Sequence, residues 1–231
     1  MTGSERFTRD TDLVLVAVGV RPDTALARTA GAELGVRGAV RVDRQMRTSV
    51  EGVYAAGDCA ETWHRLIERP DYLPLGTTEH KQGRVAGEHA VGGQRTFAGS
   101  LGTQVVKVFD LAVARTGLRD HEARAAGFEP VTVETVVDDH KAYYPGATRM
   151  RLRVTGDRRD GRLLGAQILG STQAQVAKRV DVYAAALAAR ITVDEVTDLD
   201  LSYTPPFSAP WDPVQAAAQR WQRVSEPLAA R

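Results

Sequence analysis

The run Asp12-Leu13-Val14-Leu15-Val16-Ala17-Val18-Gly19 constrains this chain more than any other stretch. Its side chains are apolar at consecutive positions rather than alternate ones, so as a strand it is expected to be buried on both faces. Such a strand belongs to a sheet with helices on either side, and it needs neighbours. The residues down to about position 80 offer only two short candidates, 39–43 and 53–56. The sequence therefore reads as one that starts within a domain.

The turn residues Gly19-Val20-Arg21-Pro22-Asp23 end the run, and Asp23 or Thr24 is placed to cap a short helix that Gly31 stops. A polar loop is expected over 61–74. Thr77 or Thr78 then caps a helix to about Val91, closed by Gly92-Gly93. From Gly99 the pattern changes. Segments 104–109, 111–117, 131–137, 149–154 and 163–169 read as strands, with a short helix over 120–126 and a hairpin turn at Asp160-Gly161. Segment 172–190 carries Val176, Val180, Tyr183 and Leu187 at helical spacing. A Pro-rich loop over 203–213 leads to a last helix over 214–224. The expected architecture is an α/β portion, residues 1–97, followed by an α+β domain of antiparallel sheet with helices, residues 98–231.

Composition excludes several classes. Thirty basic and 29 acidic side chains leave a formal charge of +1, which gives no footprint for nucleic acid or an anionic membrane. No apolar run approaches the roughly 20 residues of a bilayer span, and the first twelve residues lack the apolar core of a signal peptide. A single cysteine, Cys59, rules out an internal disulfide framework. A cytoplasmic location and no metal centre are expected.

Two segments carry chemistry. Gly52-Val53-Tyr54-Ala55-Ala56-Gly57-Asp58 is a short strand of small residues that places a carboxylate at a sheet's C-terminal edge, where open α/β folds bind ligands. Asp58 reads either as a cap for local backbone N–H groups or as an acceptor for ligand hydroxyls. Cys59 reads as a small buried thiol rather than a nucleophile. In the second segment, Gly83 and Gly87 share a helix face at about 1 kcal/mol each relative to Ala, which implies something lying close against it, a ligand or another helix. The start of that helix offers free N–H groups and a positive dipole end. His80 reads as a polar surface residue rather than an acid-base group.

Thr48-Ser49, Gly52 to Asp58, Pro74-Leu75 and Gln82-Gly83-Arg84-Val85-Ala86-Gly87 together closely resemble the second FAD-binding segment of the pyridine nucleotide-disulphide oxidoreductases. The resemblance implies that Gly57 and Asp58 bind the flavin, Asp58 through its ribityl chain. It also implies that Leu75, Gly76, Thr77 and Thr78 form the helix start beside the isoalloxazine ring. The run ending in Gly19-Val20-Arg21-Pro22-Asp23-Thr24 resembles the end of the family's NAD(P)H domain, with Gly19 near the nicotinamide cofactor. Residues 1–97 thus correspond to the C-terminal portion of an FAD/NAD(P)-binding region.

Further on, Tyr143-Tyr144-Pro145-Gly146-Ala147, Leu164 to Gly170, Lys178-Arg179-Val180-Asp181-Val182 and Tyr203-Thr204-Pro205-Pro206-Phe207-Ser208 resemble the dimerisation domain of the coenzyme A-disulphide reductase and NADH oxidase branch. A homodimer through residues 98–231 is implied. So are catalytic roles for Tyr144 and Tyr203 across that dimer, as phenols that stay protonated and donate to a developing thiolate. The plainer reading of both is a tyrosine at a strand-edge loop or before a Pro-rich turn. Lys178 and Arg179 face either coenzyme A phosphates or solvent. Trp211 departs from the branch, which usually carries a small or basic residue there, and this leaves the thiol partner, coenzyme A or another, open. No Gly-x-Gly-x-x-Gly and no match to the family's redox cysteine occur in these 231 residues. Two functions follow. One is a part of an FAD-dependent enzyme passing electrons from NAD(P)H to a disulfide or oxygen, inactive without its other half. The alternative is a non-catalytic dimerisation module from a truncated frame.

Overall fold

The computed structural model describes residues 10–225, so the polar lead up to residue 9 lies outside the described residues. Helix α1 (Ala25–Thr29) is held at its start by the Asp23 carboxylate, which accepts from the Ala25 N–H at 3.2 Å. The run 12–19 does not form the buried strand expected of it. Leu13 is 84% exposed and Val18 is 91% exposed. No strand among the described residues lies beside the run, and apolar sequence alone cannot supply the ladder partners that backbone N–H and C=O groups require.

Segments 39–43 and 53–56 are likewise reduced to single bridges, Val40 with Leu34 and Ala60, and Tyr54 with Arg47. The stretch expected to be a loop over 61–74 instead contains an antiparallel hairpin, β1 (Thr62–His64) and β2 (Arg69–Asp71). Pro70 sits in β2, where a two-stranded edge tolerates a residue with no N–H to donate. Helix α2 (Gly76–Ala90) follows with Leu75 at its N-cap. Neither threonine caps it; the Thr78 hydroxyl is buried and donates to Ser100 Oγ at 3.1 Å.

The second part is a five-stranded antiparallel sheet built from β3 (Gln104–Val108), β4 (Leu111–Gly117), β5 (Pro130–Asp138), β6 (Arg149–Asp157) and β7 (Leu163–Ser171), with helix α3 (Asp120–Ala125) after β4. The spatial order is β3-β4-β7-β6-β5. One row of paired residues, Ala114, Ile168, Leu152 and Thr135, faces inward. Helices α4 (Val176–Ala189) and α6 (Pro213–Ser225) cover that face with Val180, Tyr183, Leu187, Ala217 and Trp221. Each large apolar side chain so buried contributes about 1.5–3 kcal/mol. The two aromatics among them also satisfy their polar ends. Tyr183 donates to the Val214 carbonyl and Trp221 to the Val131 carbonyl, both at 2.8 Å. Gly165 lets β7 pass against Leu118, whose backbone occupies the place a Cβ would need.

The opposite row, Val106, Val113, Leu169 and Val136 with Arg151 between the last two, is exposed. The β1–β2 hairpin reaches from the first part into the second. Leu66 at its tip is buried in the main core, Arg65 donates to the Ala188 carbonyl at 3.1 Å, and Glu68 pairs with Arg190 at 2.6 Å. Helix α5 (Val193–Thr197), not expected from sequence, is opened by a reciprocal pair in which Thr192 Oγ1 accepts from the Glu195 N–H and the Glu195 carboxylate accepts from the Thr192 N–H. No helix among the described residues is long and apolar enough to cross a membrane.

Candidate functional site

The turn at Gly57-Asp58 is built by a residue that sequence reasoning left without a role. Gln82, fully buried on α2, accepts from the Gly57 N–H at 2.9 Å and donates to the Glu61 carbonyl at 2.9 Å and to Thr62 Oγ1 at 3.2 Å. It ties the turn, the following chain and the helix into one unit. Gly57 has φ +84°, a conformation that costs other residues strain, and a Cβ there would press on the Glu79 side chain at 3.1 Å. The Asp58 backbone carbonyl is fixed by the Tyr72 hydroxyl at 2.9 Å. Burial, then the Asp58 and Cys59 charges, hold that phenol above its ordinary pKa.

The Asp58 carboxylate is exposed and accepts no hydrogen bond among the described residues. It is therefore not the local N–H cap that one reading of the sequence offered. Cys59 is half-buried with Sγ on the Ala56 carbonyl at 3.5 Å, in keeping with a packed thiol. At the start of α2, the Leu75 carbonyl accepts from Thr78 and Glu79, which leaves the N–H groups of Gly76 and Thr77 unpaired within the helix. His80 is exposed and bonds the Gly76 carbonyl through Nδ1 at 2.8 Å, a local surface contact. A Cβ on Gly83 or Gly87 would meet nothing within 4 Å, so no helix among the described residues packs on that face. Gly19 is exposed at φ +108°, at the end of the uncovered run.

The tyrosines form a second group. Tyr144 and Tyr203 are 42% and 43% exposed, and their segments are stitched together by the Lys141 N–H donating to the Pro205 carbonyl at 3.3 Å. The His140 ring meets the edge of Tyr144 with centroids 6.2 Å apart. No hydrogen bond joins this group to the Gly57-Asp58 turn. Of the two cations weighed for an anionic ligand, Lys178 is exposed and pairs with Asp181 at 3.1 Å. Arg179 is not on a solvated face. It is buried against Asp212, 33 positions away, and makes backbone contacts described below.

Residues 1–87 match the family model described as pyridine nucleotide-disulphide oxidoreductase, and residues 103–213 match that of the same family's dimerisation domain. The chain is 38% identical over 208 residues to the NAD(P)H sulfur oxidoreductase (CoA-dependent) of Pyrococcus furiosus, covering 90% of this chain and 46% of that protein. It is 34% identical over 213 residues to the coenzyme A disulfide reductase of Staphylococcus haemolyticus, covering 92% and 48%. Its fold superposes on the NAD-dependent persulfide reductase from A. fulgidus with a TM-score of 0.87 at 40% identity, covering 92% of this chain and 39% of that one. The chain thus spans just under half the length of the curated relatives it matches.

Proposed function

The chain belongs to the pyridine nucleotide-disulphide oxidoreductase family, and on that premise we propose that it forms the ribityl wall of a flavin site and the dimer interface of an NAD(P)H-dependent enzyme acting on a disulfide such as coenzyme A disulfide, or on oxygen. In this reading residues 1–97 serve the dinucleotides and residues 98–231 the dimer, in the cytoplasm. One observation carries it. A free carboxylate at Asp58 and free N–H groups at Gly76 and Thr77 belong to elements that Gln82 locks together. An acceptor and two donors so placed fit a ligand with hydroxyls at one end and electron-rich ring atoms at the other.

FAD, when bound, supplies the two-electron relay between a nicotinamide and a thiol. The work of this chain's own residues is then limited and specific. Asp58 accepts hydrogen bonds from ribityl hydroxyls. Gly76 and Thr77 donate to ring atoms at the positive end of a 15-residue helix. Gly83 and Gly87 keep the adjoining helix face low enough for close approach. Gly19 stands at the nicotinamide side. Tyr144 and Tyr203 would serve the disulfide step: as the redox thiolate bonds to one substrate sulfur and the substrate S–S bond breaks, the phenols would donate hydrogen bonds to the other sulfur, which leaves as thiolate. The reading also requires a redox thiol and two phosphate-binding loops, which these 231 residues do not contain, so turnover needs a polypeptide segment that carries them.

Purified protein is to be assayed for the visible absorption of bound flavin and for NAD(P)H oxidation with coenzyme A disulfide, alone and with such a segment supplied. Flavin binding that Asp58→Ala weakens, and disulfide-dependent NAD(P)H oxidation that Tyr144→Phe and Tyr203→Phe slow, are the expected results. The same flavin affinity in wild type and Asp58→Ala would overturn the flavin assignment. The missing phosphate loops and redox thiol favour a second reading, a dimerisation module without catalysis, and a stable dimer that never takes up flavin would decide for it.

A further inference from the structure

Arg179 is the most heavily bonded side chain in the second part of the molecule, and 7% of it is exposed. Its Nε lies 3.3 and 3.2 Å from the two carboxylate oxygens of Asp212, and Nη2 lies 3.1 Å from Asp212 Oδ2. The two Nη groups also reach backbone carbonyls of three separate segments. Nη1 donates to Ala174 at 2.6 Å, and Nη2 donates to Asp139 at 2.7 Å and to Phe207 at 3.2 Å. Asp139 opens the segment that carries Tyr144, and Phe207 closes the turn that directly follows Tyr203. Asp212 is itself anchored. It accepts from Ser208 Oγ at 2.7 Å and from the Val214 N–H at 2.9 Å.

A planar guanidinium with five donors suits this task, because it can hold one carboxylate and several carbonyls in fixed directions at once. A buried ion pair adds little net stability over apolar residues of the same volume, so its presence here, bonded to three backbone segments, points to a geometric role. We propose that the Arg179–Asp212 pair is the positioning element for Tyr144 and Tyr203: it clasps the two tyrosine-bearing segments to the start of α4 and so sets where both phenols stand. The inference rests on the reading that these phenols serve disulfide chemistry. Arg179 itself touches no substrate.

The test uses the chain assembled with the segment that carries the redox thiol and phosphate loops, loaded with flavin and given NAD(P)H, and two variants: Arg179→Lys, and the charge-free pair Arg179→Met/Asp212→Leu, which removes the clasp without stranding a buried charge. Three quantities are read: amide exchange at Lys141, whose N–H links the two segments; kcat and KM with coenzyme A disulfide; and reduction of ferricyanide, which needs no phenol. Both variants should lose Lys141 protection while amides of Leu152 and Ile168 keep theirs. Disulfide kcat/KM should fall about tenfold to a hundredfold with ferricyanide reduction unchanged, as expected when groups are misplaced by about 1 Å. Unchanged Lys141 protection, or unchanged disulfide kinetics, in the charge-free pair would overturn the proposal. So would a parallel loss of Leu152 protection and of ferricyanide reduction, which would make the pair a mere fold support. If Tyr144→Phe and Tyr203→Phe leave disulfide reduction intact, it is the catalytic reading that falls, and the exchange data still judge the clasp.

Discussion

Gln82 satisfies three polar groups with one amide, and nothing else among the described residues reaches them. Replacing it by Leu keeps roughly the volume and strands the Gly57 N–H and the Glu61 carbonyl. An unsatisfied buried group costs about 1–3 kcal/mol. Gln82→Leu should therefore lower unfolding free energy by about that amount, read as a reduced urea midpoint at constant slope. Asp58→Ala should leave the midpoint unchanged, because the exposed carboxylate has no protein partner to lose. That contrast separates a residue that builds the turn from one the turn presents. Glu122 gives a residue-scale test in pH. Burial pushes its carboxyl upward, but hydrogen bonds from the Arg119 side chain and backbone, and the Arg115 charge, outweigh it and hold the pKa at about 2 against an ordinary 4.5. A depressed folded pKa contributes stability that is fully present above about pH 4.5 and is lost as pH falls toward 2. Glu122→Gln should flatten the acid limb of a stability–pH curve over that window and lower the plateau above it.

At the scale of elements, legibility followed locality. Strands β3 to β7 and helix α3 emerge near their expected bounds because alternation, a turn and a short cap are all local signals. Helix α4 begins at Val176 rather than near Thr172, since Gln175 takes a left-handed conformation at φ +56°. Helix α5 carried a readable signature, Thr192 followed three residues later by Glu195, and was missed because five residues show no apolar period. Arg179 was misread for a different reason. Position on an amphipathic helix suggests solvent and the family resemblance suggests a phosphate, while its partner Asp212 arrives from 33 residues away, which no spacing rule announces. Gln82 lay in plain sight on the buried stripe Thr78, Gln82, Val85, and a glutamine there is itself the signal of a polar network.

At the scale of the molecule, among the described residues the run 13–18 with Val20 and the outer row of the sheet each present a series of exposed apolar side chains. A homodimer through residues 98–231 is the expectation, and the outer sheet face is an apolar surface within them on which it can be tested. Val113→Glu and Leu169→Glu, placed directly opposite one another on β4 and β7, should shift sedimentation toward monomer while far-ultraviolet circular dichroism holds. The tip of the β1–β2 hairpin has a different consequence, for how such proteins can be recombined. Because Leu66 is seated in the core of the second part and Glu68 grips Arg190, a hybrid spliced between residues 97 and 98 would inherit a plug from one parent and a socket from the other. Chimaeras joined there should survive in proportion to how well plug and socket match. Those that carry residues 62–71 from the same parent as the sheet should tolerate far more divergent donors.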